Sequence, residues 1–132
     1  MKFAKVLFLV AGIYGLLALM PQYVMEEYNG RNYPPPITHP EYYYGFIGVA
    51  LAWQVLFLIL ARDPVRFRPM MIPAVLEKLS FGIAAVILYL QQRVTPIMLG
   101  FGLLDLTLAA LFIVEMRFDA ICCACWIFAD MS

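Results

Sequence analysis

The sequence predicts an all-α integral membrane protein, a bundle of four antiparallel transmembrane helices. Composition and the spacing of charges carry that prediction. Hydrophobic residues make up 64% of the 132-residue chain and charged residues 14%, against about 45–50% and about 25% in soluble domains. The charges interrupt the apolar sequence only at intervals, which leaves four runs of about 20 residues. Each run is long enough to cross a hydrocarbon core of about 30 Å at about 1.5 Å rise per residue. The expected spans are Phe3–Met20, Tyr43–Ala61, Ala74–Leu90 and Val94–Glu115. Residues 1–132 form one transmembrane domain on this reading, a length suited to a single domain.

The first span follows a basic start, Lys2 and Lys5, and resembles the apolar core of a signal peptide. Ala18, Leu19 and Met20 before Pro21 do not make a small-x-small cleavage site, so it reads as a retained helix. It carries Ala11 and Gly15 four residues apart. The second span carries Gly48 and Ala52, and the third Ser80 and Ala84. Small residues at this spacing let membrane helices approach closely.

The loop between the first two spans, 21–41, is the longest. Pro34, Pro35 and Pro36 followed by Pro40 favour polyproline II over helix or strand, and Glu26, Glu27 and Glu41 stand among tyrosines. A loop of this length covers something or binds something. The second loop, RDPVRFRPMMIP, is broken by Pro64 and Pro69, and Pro73 suits the opening of the third helix. Its Arg62, Arg66 and Arg68 suit anionic lipid headgroups. The third loop is tight, so the last two spans form a helical hairpin. The tail 116–132 is apolar but too short to cross.

Four spans place both termini on one side. That side holds Lys2, Lys5, Arg62, Arg66, Arg68, Lys78 and Arg117, and the other only Arg31 and Arg93. The positive-inside rule therefore makes the termini cytoplasmic and loop 21–41 extracytoplasmic. Tyr23, Tyr28, Tyr33, Tyr42, Tyr43, Tyr44 and Tyr89 all gather at the opposite interface, as an aromatic belt would.

Few residues carry chemistry. Asp105 lies near the middle of the fourth span, where a carboxylate costs roughly 2.5–3.5 kcal/mol on insertion scales. It shares a helical face with Gly102 and Ala109, and that small, polar stripe should face other helices. Gln54 and Ser80 lie at similar depth, so Asp105, Gln54 and Ser80 form the expected buried polar node. Its role is either a helix–helix hydrogen bond or a proton relay, ligand anchor or general acid/base. Glu77, in the first turn of the third span, meets the positive end of the helix dipole and can pair with Arg66 or Arg68 in an interfacial ion cluster.

His39 is the single histidine, which rules out bis-histidine haem ligation or a multi-histidine metal site within the chain. Cys122, Cys123 and Cys125 form CCAC without a fourth ligand arranged nearby, on a side where disulfides are disfavoured. No metal or cofactor is expected. No phosphate loop and no Ser/His/Asp or Cys/His set occurs, and a net charge of zero gives no reason to expect nucleic acid.

The stretches YYYGFIGVALAWQ, ARDPVRFRPMMIPAVLEKLSFG and GFGLLDLTLAALF, within Tyr42–Glu115, resemble small four-helix bacterial membrane proteins. In overall shape the chain also looks like DoxX-like proteins. The resemblance implies the fold and a bacterial cytoplasmic membrane, and it brings no activity. The leading functional expectation is a non-catalytic membrane protein, an accessory or structural subunit. Its partners would be lipids and other membrane subunits, met through loop 21–41 and tail 117–132. The alternatives are a binder or enzyme for a small or lipid-like substrate acting through Asp105, and a small proton-coupled transporter. Small multidrug resistance transporters carry their membrane carboxylate in the first helix, where this chain has none.

Overall fold

A computed structural model describes residues 2–33 and 36–129, with side chains placed as far as residue 117. Among the described residues the chain is helical, with no strand. The helices are α1 (Lys2–Leu19), α2 (Glu26–Asn32), α3 (Pro40–Arg62), α4 (Met71–Leu90) and α5 (Pro96–Ala129). Four segments are long and apolar enough to cross a membrane: Lys2–Val24, Pro40–Arg62, Arg68–Leu90 and Pro96–Arg117. Their surfaces agree with that reading. Leu17, Leu90 and Tyr42 are each more than 70% exposed, and many other large apolar side chains are half exposed. Water would not tolerate so much apolar surface on an isolated soluble domain.

The helices extend further than hydropathy alone suggests. A 3-10 turn over Met20–Val24 prolongs α1, with Pro21 in its first turn. Another over Arg68–Met70 leads directly into α4. Pro73 is tolerated because the first N–H groups of a helix have no intrahelical acceptor. Loop 21–41, expected to lack regular structure, contains α2. Glu26 and Glu27 occupy the first turn of α2 and Arg31 its last, so both ends complement the helix dipole, and Arg31 pairs with Glu27 one turn back. Pro34 and Pro35 of the expected polyproline run lie outside the described residues. Into the tail, α5 continues beyond Arg117 to Ala129 as one helix of 34 residues.

The chain divides into two compact units. Lys5–Arg62 form one; Asp63–Ser132 and Met1–Ala4 form the other. In the first, α1 and α3 run antiparallel. The rings of Phe8 and Phe57 meet with centroids 6.3 Å apart. At Gly12 an added Cβ would stand 2.9 Å from Leu58 and 3.1 Å from the Gln54 carbonyl oxygen. Of the small pairs expected to mediate packing, Ala11 and Gly15 are buried, whereas Gly48, Ala52, Ser80 and Ala84 are exposed.

A polar and aromatic knot joins the loop to α3. The Tyr43 hydroxyl donates to the Gln22 carbonyl at 2.8 Å and accepts from the Asn29 amide at 2.9 Å. Tyr44 donates to Glu26 at 2.6 Å and stacks on Tyr23 at 5.9 Å. The tyrosines expected to form an interfacial belt thus also tie down the loop.

In the second unit, α4 and α5 form the expected hairpin. Its turn contains Gln92 at φ 58°, a left-handed conformation that costs a residue with a Cβ about 1–2 kcal/mol. The Gln92 N–H donates to the Tyr89 carbonyl and the Arg93 N–H to the Leu88 carbonyl, both at 2.9 Å. This is the Schellman arrangement, which satisfies the last carbonyls of α4.

Candidate functional site

α4 and α5 approach closely where both carry glycine. An added Cβ on Gly102 would stand 2.5 Å from the Ala85 Cβ, and one on Gly82 would stand 2.9 Å from the Gly102 carbonyl oxygen. Such close backbone approach is what small residues allow in membrane helices. One turn toward the start of α4 and one turn further along α5, the same interface holds three charged side chains.

Lys78 is the centre of this group. Its Nζ lies 3.2 Å from Asp105 Oδ1 and 3.3 Å from Oδ2, so it engages both oxygens of the carboxylate. Glu77 Oε2 is also 3.3 Å away. The side chains of Lys78, Asp105 and Glu77 are 8%, 13% and 18% exposed. Lys78 lies next to the middle of the 23-residue segment Arg68–Leu90, and Asp105 close to the middle of the 22-residue segment Pro96–Arg117. Charges at such depth are carried almost only in pairs. With all three groups ionised the triad has one negative charge in excess, and the buried Glu77 Oε2 meets Lys78 as an ion pair without a hydrogen bond.

The expected sites are partly rearranged. Asp105 does occupy the small face with Gly102 and Ala109, both buried. Its partner is Lys78 rather than Gln54 or Ser80. Ser80 is exposed and donates to the Glu77 carbonyl of its own helix at 2.9 Å, which satisfies its hydroxyl without a neighbour. Gln54 belongs to the other unit. It is 3% exposed and donates to the Ala50 carbonyl at 3.0 Å, while its Oε1 accepts no hydrogen bond. That oxygen lies where a Cβ on Gly15 would be, and so faces the Gly15 Cα–H, a weak donor common at helix–helix contacts.

The expected ion cluster of Glu77 with Arg66 and Arg68 is replaced as well. Glu77 pairs with Lys78. Arg66 lies over the ring of Phe67 at 5.5 Å, and Arg68 donates to the Met116 carbonyl at 3.0 Å. The earlier start of α4 explains the change: it moves Glu77 and Lys78 from the membrane boundary toward the middle of the span.

Lys78 was the residue missed. The signal was present, because every residue from Pro69 to Leu76 is apolar or proline, so Glu77 and Lys78 lie inside an apolar run rather than before one. Among the described residues no group of three His, Cys, Asp or Glu is arranged to hold a metal. Cys122, Cys123 and Cys125 lie beyond the described side chains.

No protein-family model, no curated protein and no solved structure matches this chain. The likeness to DoxX-like proteins therefore rests on the pattern of helices alone.

Proposed function

We propose that the protein is a non-catalytic integral membrane protein, an accessory subunit of a larger assembly, in which the Glu77–Lys78–Asp105 triad locks α4 to α5. The observation carrying this reading is that both oxygens of Asp105 are engaged by Lys78. A carboxylate held in this way is a poor base or ligand anchor. Replacing a buried ion pair by apolar side chains of similar size is often neutral or stabilising. Glu77→Leu/Lys78→Met/Asp105→Leu should therefore fold and keep the same neighbours. The test is purification of both forms in mild detergent, with mass spectrometry of the proteins that accompany them. The same membrane subunits in constant ratio with both forms support the reading. A chain that purifies alone refutes the accessory role.

The excess carboxylate favours a second reading, movement of a proton or a cationic solute through the triad. Glu77 then takes up and releases the charge that balances the site. In proteoliposomes carrying a pH-sensitive dye, Glu77→Gln would abolish proton flux on this reading. Absence of flux in the unmodified protein refutes it. The expected cytoplasmic termini and bacterial cytoplasmic membrane belong to both readings, and the distribution of basic residues supports the orientation.

A further inference from the structure

We propose that the α1–α3 pair carries a binding site for one anionic glycerophospholipid. A groove of about 350 Å³ lies between the start of α1 and the end of α3, lined by Lys5, Val6, Leu9, Leu58, Ala61 and Arg62. Its size falls at the lower end of the range for small-molecule sites, about 300–1,000 Å³.

The arrangement of charge along the groove identifies the occupant. Lys5 lies near the first residue of the segment Lys2–Val24, and Arg62 is the last residue of Pro40–Arg62. Because α1 and α3 are antiparallel, both cations stand at the same end of the pair, at the level where headgroups lie. One helical turn toward the middle of each segment come Leu9 and Leu58, four residues from Lys5 and Arg62 respectively. The site therefore presents two cations at the membrane boundary and an apolar floor directly inside it. No carboxylate lines it, and neither Lys5 nor Arg62 makes an ion pair among the described residues. A phosphodiester headgroup matches the cations, and the upper part of an acyl chain matches Val6, Leu9, Leu58 and Ala61. A zwitterionic headgroup would bring a further cation to a place that already has two. A free phosphate would leave the apolar floor uncovered.

The site is local, which separates it from the general attraction of basic loops to anionic membranes. Arg66 and Arg68 do not line it; they are engaged by Phe67 and by the Met116 carbonyl. Lys2 does not line it either.

The test uses the full chain in neutral detergent with native mass spectrometry. Phosphatidylglycerol and phosphatidylcholine of identical acyl chains are added separately, and glycerol phosphate serves as the headgroup-only probe. One phosphatidylglycerol should be retained at higher activation energy than phosphatidylcholine, and glycerol phosphate should not be retained. Each cation near an anionic lipid contributes about a fivefold preference. Lys5→Gln/Arg62→Gln should thus lower retention of phosphatidylglycerol by about 25-fold, with helicity unchanged by circular dichroism. Lys2→Gln/Arg66→Gln removes the same charge outside the groove and should leave retention unchanged. Leu9→Trp keeps both cations and fills the floor, and should expel the lipid. Equal retention of the two lipids, or equal loss in the two double variants, overturns the proposal. So does retention of glycerol phosphate, or undiminished retention by Leu9→Trp.

Discussion

Gly102→Ala places one methyl group at a point of close backbone approach in the α4–α5 hairpin. The added Cβ would stand 2.5 Å from the Ala85 Cβ, roughly 1 Å inside the ordinary carbon–carbon separation. Neither atom can rotate away, since both are fixed to helix backbone, so the helices must separate or shift. Overpacking of this kind costs about 1–3 kcal/mol. The higher helix propensity of alanine returns at most about 1 kcal/mol. Separation also lengthens the 3.2 Å contact between Lys78 and Asp105, and a loosened buried ion pair loses attraction without regaining full solvation. The net expectation is a loss of about 1–3 kcal/mol. Ala85→Gly removes the opposing methyl group, so Gly102→Ala/Ala85→Gly should recover most of that loss beyond the propensity cost of the new glycine. The measurement is reversible unfolding in mixed micelles of increasing denaturing-detergent fraction, followed by circular dichroism. A stability for Gly102→Ala equal to that of the parent would refute the close approach. A double variant no better than the single one would place the strain elsewhere than at Ala85.

Gly15→Ala should destabilise the α1–α3 pair by about 1–3 kcal/mol, because its Cβ would overlap the Gln54 amide; Gln54→Ala in the same chain should relieve the overlap, measured by the same titration. Gln92→Gly should leave stability unchanged or raise it by up to about 1 kcal/mol, since glycine adopts the left-handed turn without the Cβ penalty; a clear loss would mean that the Gln92 side chain is needed. In a cysteine-free background, Asn32→Cys should label from outside the cell and Arg66→Cys from the cytoplasmic side. The reverse pattern would overturn the orientation argued from basic residues.

Hydropathy located the four apolar helices because each is almost free of charge, and no tertiary information is needed for that. Their ends were less legible. Pro73 falls in the first turn of α4 as its position suggests, but Pro69, which reads as a helix breaker, lies in a 3-10 turn that leads straight into that helix, where proline removes no hydrogen bond. That shift hid Lys78, because a lysine next to a glutamate is ordinarily a boundary marker. The face of Asp105 followed from helical spacing alone, and its small neighbours Gly102 and Ala109 are buried as expected. Its partner did not follow, since pairing depends on how α4 is rotated about its axis. The helix α2 was within reach, signalled by Glu26 and Glu27 at one end and Arg31 at the other. The proline run after it argued more loudly for an extended loop.

The ion triad also bears on how the chain enters the membrane during synthesis. Taken alone, α4 would bring Glu77 and Lys78 into hydrocarbon with only each other as partners, and α5 would bring Asp105 with no counter-ion, a barrier of roughly 2.5–3.5 kcal/mol. The turn between the two helices spans only residues 91–95, so the second helix leaves the ribosome directly behind the first. Their charges can meet before either helix faces lipid on all sides. The hairpin α4–α5, rather than the single helix, is then the natural unit of insertion, and a ribosome-bound chain ending just after α4 should remain in the aqueous channel of the insertion machinery until α5 emerges.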